Sequence, residues 1–205
     1  MGLPPCLKAR GPQYAGGMER RKLMLHELLH SKAAKDAMLG FLFRGLTAEP
    51  ARGAALFDAL TTEARRPAWY VEGAVPDTLD GRFSVLSNLM ALALVRLESE
   101  GNEGQRISVA LTERFIEVME SEHRELGLGD PSLGKTVRKL VGMLAKRTEL
   151  WRTVDEGSFA SATRESLYKE IVTDRAVDWS TGELKRFKAR LASTPAEEIG
   201  KGAIA

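Results

Sequence analysis

The stretch from Glu122 to Trp151, EHRELGLGDPSLGKTVRKLVGMLAKRTELW, constrains the fold more than any other part of the chain. It closes one helix, turns a glycine-rich corner and opens a second helix. Arg124-Glu125 leads into the corner, and Gly127 stands where a left-handed residue ends many helices. Past Gly129, Asp130 suits an N-cap, and Pro131 suits the first helical position, where its missing N–H is not needed. At about 100° per residue, Leu133, Val137, Leu140, Val141, Leu144 and Trp151 fall on one side of the new helix, and Lys135, Arg138, Lys139 and Lys146 on the other. One face needs a core. The other meets an anion or water.

A chain of 205 residues is long enough to bury a sizeable core as one domain. Net charge is only +2, so an anionic partner has to be met by a local patch rather than by the global field. The single Cys6 makes neither an internal disulfide nor, alone, a zinc site, which fits a reducing compartment. The most apolar run, Val85 to Val95, is too short to span a bilayer.

The expected organisation is a basic, poorly ordered N-terminal extension over 1–37, a helical domain over 38–192 and a C-terminal tail over 193–205. Within the body the pattern is helical throughout, with no alternating β stretch. Ala51 to Arg65 is expected to be a helix ended by Pro67, and Ala68 to Asp80 a long loop. Gly81 to Glu100 is apolar nearly all round and belongs at the centre of a bundle. Gly101 and Gly104 break the chain before Gln105 to Leu126, whose stripe is Ile107, Leu111, Phe115 and Val118. After the Pro131–Trp151 helix come Ser161 to Arg175, with Leu167 and Ile171 inward, and Thr181 to Ala192. The expected fold is an all-α, single-domain bundle of about six helices.

Two motifs resemble catalytic signatures. Gly129 to Thr136 matches G-x4-G-K-[ST], but a P-loop needs a strand entering the loop and free N–H groups, which Pro131 cannot offer. A capped helix start is the better reading, and a nucleotide hydrolase the least favoured function. His26-Glu-Leu-Leu-His30 matches H-E-x-x-H, but no third ligand follows at a familiar spacing. The sequence therefore offers no metal site, cofactor or enzyme activity.

Pro67-Ala-Trp-Tyr70, Val75-Pro-Asp-Thr-Leu-Asp-Gly-Arg-Phe83, Arg124-Glu-Leu-Gly-Leu-Gly-Asp130 and Gly134-Lys135 together resemble the ubiquinol–cytochrome c chaperone family. The resemblance covers about residues 51 to 155, continues more weakly to about 192, and is to the compact alphaproteobacterial type. Arg164-Glu-Ser166 departs from the Arg-Asn pair expected before Leu167-Tyr168. The resemblance implies a non-enzymatic chaperone for a nascent or unassembled cytochrome b–like membrane protein. It would act in the cytoplasm beside the bacterial inner membrane, or in the mitochondrial matrix in a eukaryote, with a small helper subunit as a further partner.

In that setting Trp69, Tyr70, Val75, Pro76, Asp77, Thr78, Arg82 and Phe83 are the candidate client-binding residues, although the aromatic ones serve equally as core. Asp77, Asp80 and Arg82 are expected to hold the loop, with Arg124 or Glu125 as partners. The cations Lys135, Arg138, Lys139 and Lys146 form either a solvated face or a docking face for the ribosome or an anionic membrane. At roughly 1 kcal/mol each they would supply about 4 kcal/mol, enough for transient attachment. No aromatic platform interleaves them, so sequence-specific nucleic-acid reading is not expected. A generic helical adaptor for a soluble protein is the alternative function.

Overall fold

The computed structural model describes residues 53–125 and 130–204, with only the backbone of Asp130 and Pro131. The expected boundary at 37/38, the His26–His30 pair and the corner glycines Gly127 and Gly129 lie outside these residues. The described residues contain α1 (Ala54–Ala64), α2 (Ala68–Val71), α3 (Leu79–Leu97), a 3-10 turn (Glu98–Glu100), α4 (Gly101–Glu125), α5 (Asp130–Thr153), α6 (Phe159–Leu167), α7 (Asp174–Ser193) and α8 (Ala196–Gly200). No strand occurs among them, and the fold is the all-α bundle expected.

Helix α3 is the centre. Thr78 caps it, accepting from the Gly81 amide at 3.2 Å, and its apolar residues are buried on nearly every side. Its buried polar groups are all used. Ser87 Oγ donates to Phe83 O at 2.6 Å, Asn88 Nδ2 to Ser84 O at 2.8 Å, and Trp151 Nε1 to Asn88 Oδ1 at 2.7 Å. Gly81 is required at the first turn, since a Cβ there would stand 1.9 Å from Pro76 O.

Helices α3 and α5 run in the same direction. Arg147 reaches Ser84 and Trp151 reaches Asn88, both across a separation of 63 residues. On that register Gly142 stands level with Leu79, so residues 130–141 extend past the start of α3 by about 18 Å. Between them in sequence, α4 returns antiparallel, with Phe115 6.3 Å from the Phe83 ring. Leu133, Val137, Leu144 and Trp151 of α5 are buried, while Lys135, Arg138, Lys139 and Lys146 are exposed. The two-faced pattern of the sequence is the pattern of burial.

Several expectations need correction: the stretch Ala68–Asp80 expected as a loop holds α2, and α4 begins at Gly101 rather than Gln105, with Gly104 inside it. The helix expected over Ser161–Arg175 ends at Leu167, and Ile171 is fully exposed rather than inward. The chain leaves the helix because Tyr168 turns its ring into the core, and Thr173 then caps α7, accepting from Ala176 N. For the same reason α7 starts at Asp174 and not near Thr181. The residues 193–204 are not a free tail: Ile199 is fully buried, and Ile204 packs on the core. Gly202, at φ +79°, lets that segment close on α1, where a Cβ would stand 2.5 Å from Ala55 O.

Candidate functional site

The end of the bundle that carries α2, the link 72–78 and the start of α3 is built on a buried framework. Trp69 is fully buried; its Nε1 donates to Glu63 O at 3.0 Å and its ring meets Trp179 edge-on at 5.5 Å. Val75 is also buried, and its amide donates to Trp69 O at 3.1 Å. Gly73 allows this return, because a Cβ would stand 2.6 Å from Trp69 O; Ala74 takes φ +47° beside it. Tyr70 is half-buried, its hydroxyl donating to Ala64 O at 2.7 Å and its ring 5.8 Å from the Arg82 guanidinium. Burial pushes the Tyr70 hydroxyl's pKa up.

A second segment is tied to this one. Tyr168 Oη donates to Gly73 O at 2.6 Å and lies 2.7 Å from Ser180 Oγ, so the link 168–173 is held against 72–78 by a buried network. Burial raises the Tyr168 pKa too. On the outside, Lys169 Nζ pairs with Asp80 at 2.5 Å and Arg82 with Asp77 at 2.7 Å. Each cation holds its carboxyl below the ordinary range chiefly through the hydrogen bond, and Lys139 adds a smaller attraction at Asp80. The partners expected from the corner are not used: Asp77 takes Arg82 and Asp80 takes Lys169, while Arg124 and Glu125 stand exposed at the end of α4.

These placements sort the sequence candidates. Trp69 and Val75 support the end from inside, and Phe83 turns inward against Phe115. Pro76, Asp77, Thr78 and Arg82 are exposed. Three residues that sequence reasoning passed over share this end: Val71 (73% exposed), Leu79 (65%) and Ile171 (104%). Only Val109 joins them as an exposed large hydrophobic among the described residues. Leu79 and Ile171 belong to the segments that the Asp80–Lys169 pair and the Tyr168–Gly73 bond hold together. Three exposed aliphatic side chains thus stand at this end, beside the Asp80–Lys169 and Asp77–Arg82 pairs.

Arg147 was also missed. It lies about 120° round the helix from Lys135, at the border of the apolar face. Its Nη2 donates to Ser166 O at 2.9 Å and Ser84 Oγ at 3.3 Å, and its guanidinium lies 5.8 Å from the Phe83 ring. No carboxylate pairs with it among the described residues, and burial lowers its pKa. It clamps α3, α5 and α6 together. Ser166, from the departing Arg164-Glu-Ser166 segment, supplies that carbonyl, and Arg164 Nη1 donates to Val172 O at 3.1 Å.

The P-loop match has no P-loop geometry. Gly134, Lys135 and Thr136 lie inside α5, which begins at Asp130, and their backbone is committed to a helix that follows another helix. Among the described residues no three potential metal ligands cluster, and no helix is long and apolar enough to cross a membrane.

The comparisons with known proteins follow this geometry. The crystal structure of the Cbp3 homolog from Brucella abortus superposes with a TM-score of 0.66 at 23% identity, covering 82% of this chain and 95% of that one. At that identity the likeness concerns the fold. No curated protein matches. The family model described as ubiquinol–cytochrome C chaperone matches residues 72–204, from the link after α2 through the closing C-terminal segment. The chain therefore belongs to the ubiquinol–cytochrome c chaperone family.

Proposed function

We propose that the protein is an assembly chaperone that shields a newly made cytochrome b–like subunit of the ubiquinol–cytochrome c reductase, working beside the bacterial inner membrane. Family membership supports the assembly role. The observation that carries the client reading is the aliphatic surface of Val71, Leu79 and Ile171 on its buried framework. A membrane subunit awaiting partners presents apolar helix faces, and exposed aliphatic side chains on a rigid support are what such a face packs against. The paired charges beside it favour a polypeptide over an anionic surface, because Arg82 and Lys169 are already neutralised by Asp77 and Asp80.

Photo-crosslinkable residues at Val71, Leu79 and Ile171, in cells making the reductase, test this. Adducts with the cytochrome b–like subunit from these three positions, and none from Val109, are the expected result. Adducts with soluble proteins alone would make the chain a general adaptor instead.

A further inference from the structure

We infer that the outer face of α5 is a docking surface for an anionic lipid bilayer, lying flat along the headgroups. Lys135, Arg138, Lys139 and Lys146 are exposed and form no ion pair among the described residues. Most other cations of the bundle are engaged: Arg66, Arg82, Arg96, Arg152, Lys169 and Lys185 all hold carboxylates. The acid at the end of the face, Glu149, is taken by Arg152. Four cations without an ion pair among the described residues are thus gathered on one side of one helix.

The shape of that face favours a plane. From Lys135 to Lys146 it runs about 16 Å in a straight line. Gly142 and Ala145 lie between the cations and are exposed, and nothing stands within 4 Å of where a Gly142 Cβ would be. Small residues flanked by long cationic ones let a flat anionic layer approach the helix while the ammonium groups spread over several headgroups. RNA would be served by protruding aromatic or amide groups, and this face carries none. The first three turns of α5 extend past the start of α3. This surface is separate from the aliphatic end and stands or falls without it.

The test is co-sedimentation of the full-length protein with vesicles of phosphatidylcholine alone or with about one-third phosphatidylglycerol. Each cation contributes about fivefold to partitioning, so replacing all four by Gln should cost several hundredfold on anionic vesicles. Parent binding should fade with added salt. In a Cys6→Ser background, an environment-sensitive dye at Gly142→Cys should respond to anionic vesicles, and the same dye at Glu113→Cys on α4 should not. Equal binding to neutral vesicles, unchanged binding of the quadruple variant, or binding to ribosomes with none to vesicles would each overturn the proposal. Circular dichroism controls for folding.

Discussion

The aliphatic end and the outer face of α5 solve opposite problems of exposure. At the end, the polar groups that tie the segments bearing the exposed aliphatic residues are paired: Tyr168 with Gly73 and Ser180, Asp80 with Lys169, Asp77 with Arg82. On the outer face of α5, Lys135, Arg138, Lys139 and Lys146 have no ion-pair partner among the described residues. The first surface is aliphatic; the second is cationic, with small residues between its cations. Binding at the first should therefore be insensitive to salt and sensitive to the buried framework. At the second the dependence reverses.

The largest effect expected is from Trp69→Ala. Removing a fully buried Trp that packs on Trp179 should cost about 3–5 kcal/mol in urea unfolding, and client capture should fall with the framework. An unchanged unfolding midpoint with capture lost would make Trp69 a contact residue and erase the distinction between support and surface. Vesicle binding through α5 should persist as long as the variant stays folded.

Tyr168→Phe is next. It removes the hydroxyl that joins Gly73 and Ser180 and should cost about 1–2 kcal/mol. Hydrogen exchange should rise in 168–173 and in 72–78 together, since one network holds both. Exchange rising in one segment alone would mean that they are not coupled.

Lowering the pH sharpens the comparison further. Asp77 and Asp80 have folded pKa values depressed by Arg82 and Lys169. Their pairs are therefore intact above the unfolded carboxylate value, near 4, and are lost as pH falls through the lower folded values. Crosslinking from Ile171 should be constant between about pH 5 and 8 and change only below about pH 4. A transition near neutrality would assign the tether to other groups.

Much of this architecture was legible in the chain. The central α3 was readable because a helix apolar all round has nowhere else to go, and the two faces of α5 because cations and aliphatics repeat at helical spacing. The 168–173 link was not. Ile171 falls four residues after Leu167 and looks like the next inward position, yet Thr173-Asp174 is a helix start that a tertiary contact of Tyr168 brings into use. The local signal existed, and the deciding contact was 95 residues away in sequence.

The site divides in the same way. Pro67 to Phe83 stood out by its resemblance to a family motif, which does not say which side of a four-residue helix faces inward. Trp69 and Val71 are neighbours in that helix; one is fully buried and the other 73% exposed. The aromatic residues were open to a contact or a core reading, and Trp69 and Phe83 pack inward. The exposed aliphatics drew no attention, because a lone Val, Leu or Ile in a sequence is read as core.

On the proposed function, Val71, Leu79 and Ile171 bind the client while the framework beneath them only supports. That reading is tested most directly by replacing all three with Ser and measuring co-purification of the cytochrome b–like subunit from detergent extracts, with thermal melting alongside. All three side chains are largely exposed, so the melting midpoint should stay close to that of the parent, within the ±0.5 kcal/mol usual for surface changes. Capture of the subunit should be lost. Undiminished capture by a folded triple variant would contradict the account and move the client to another face of the bundle.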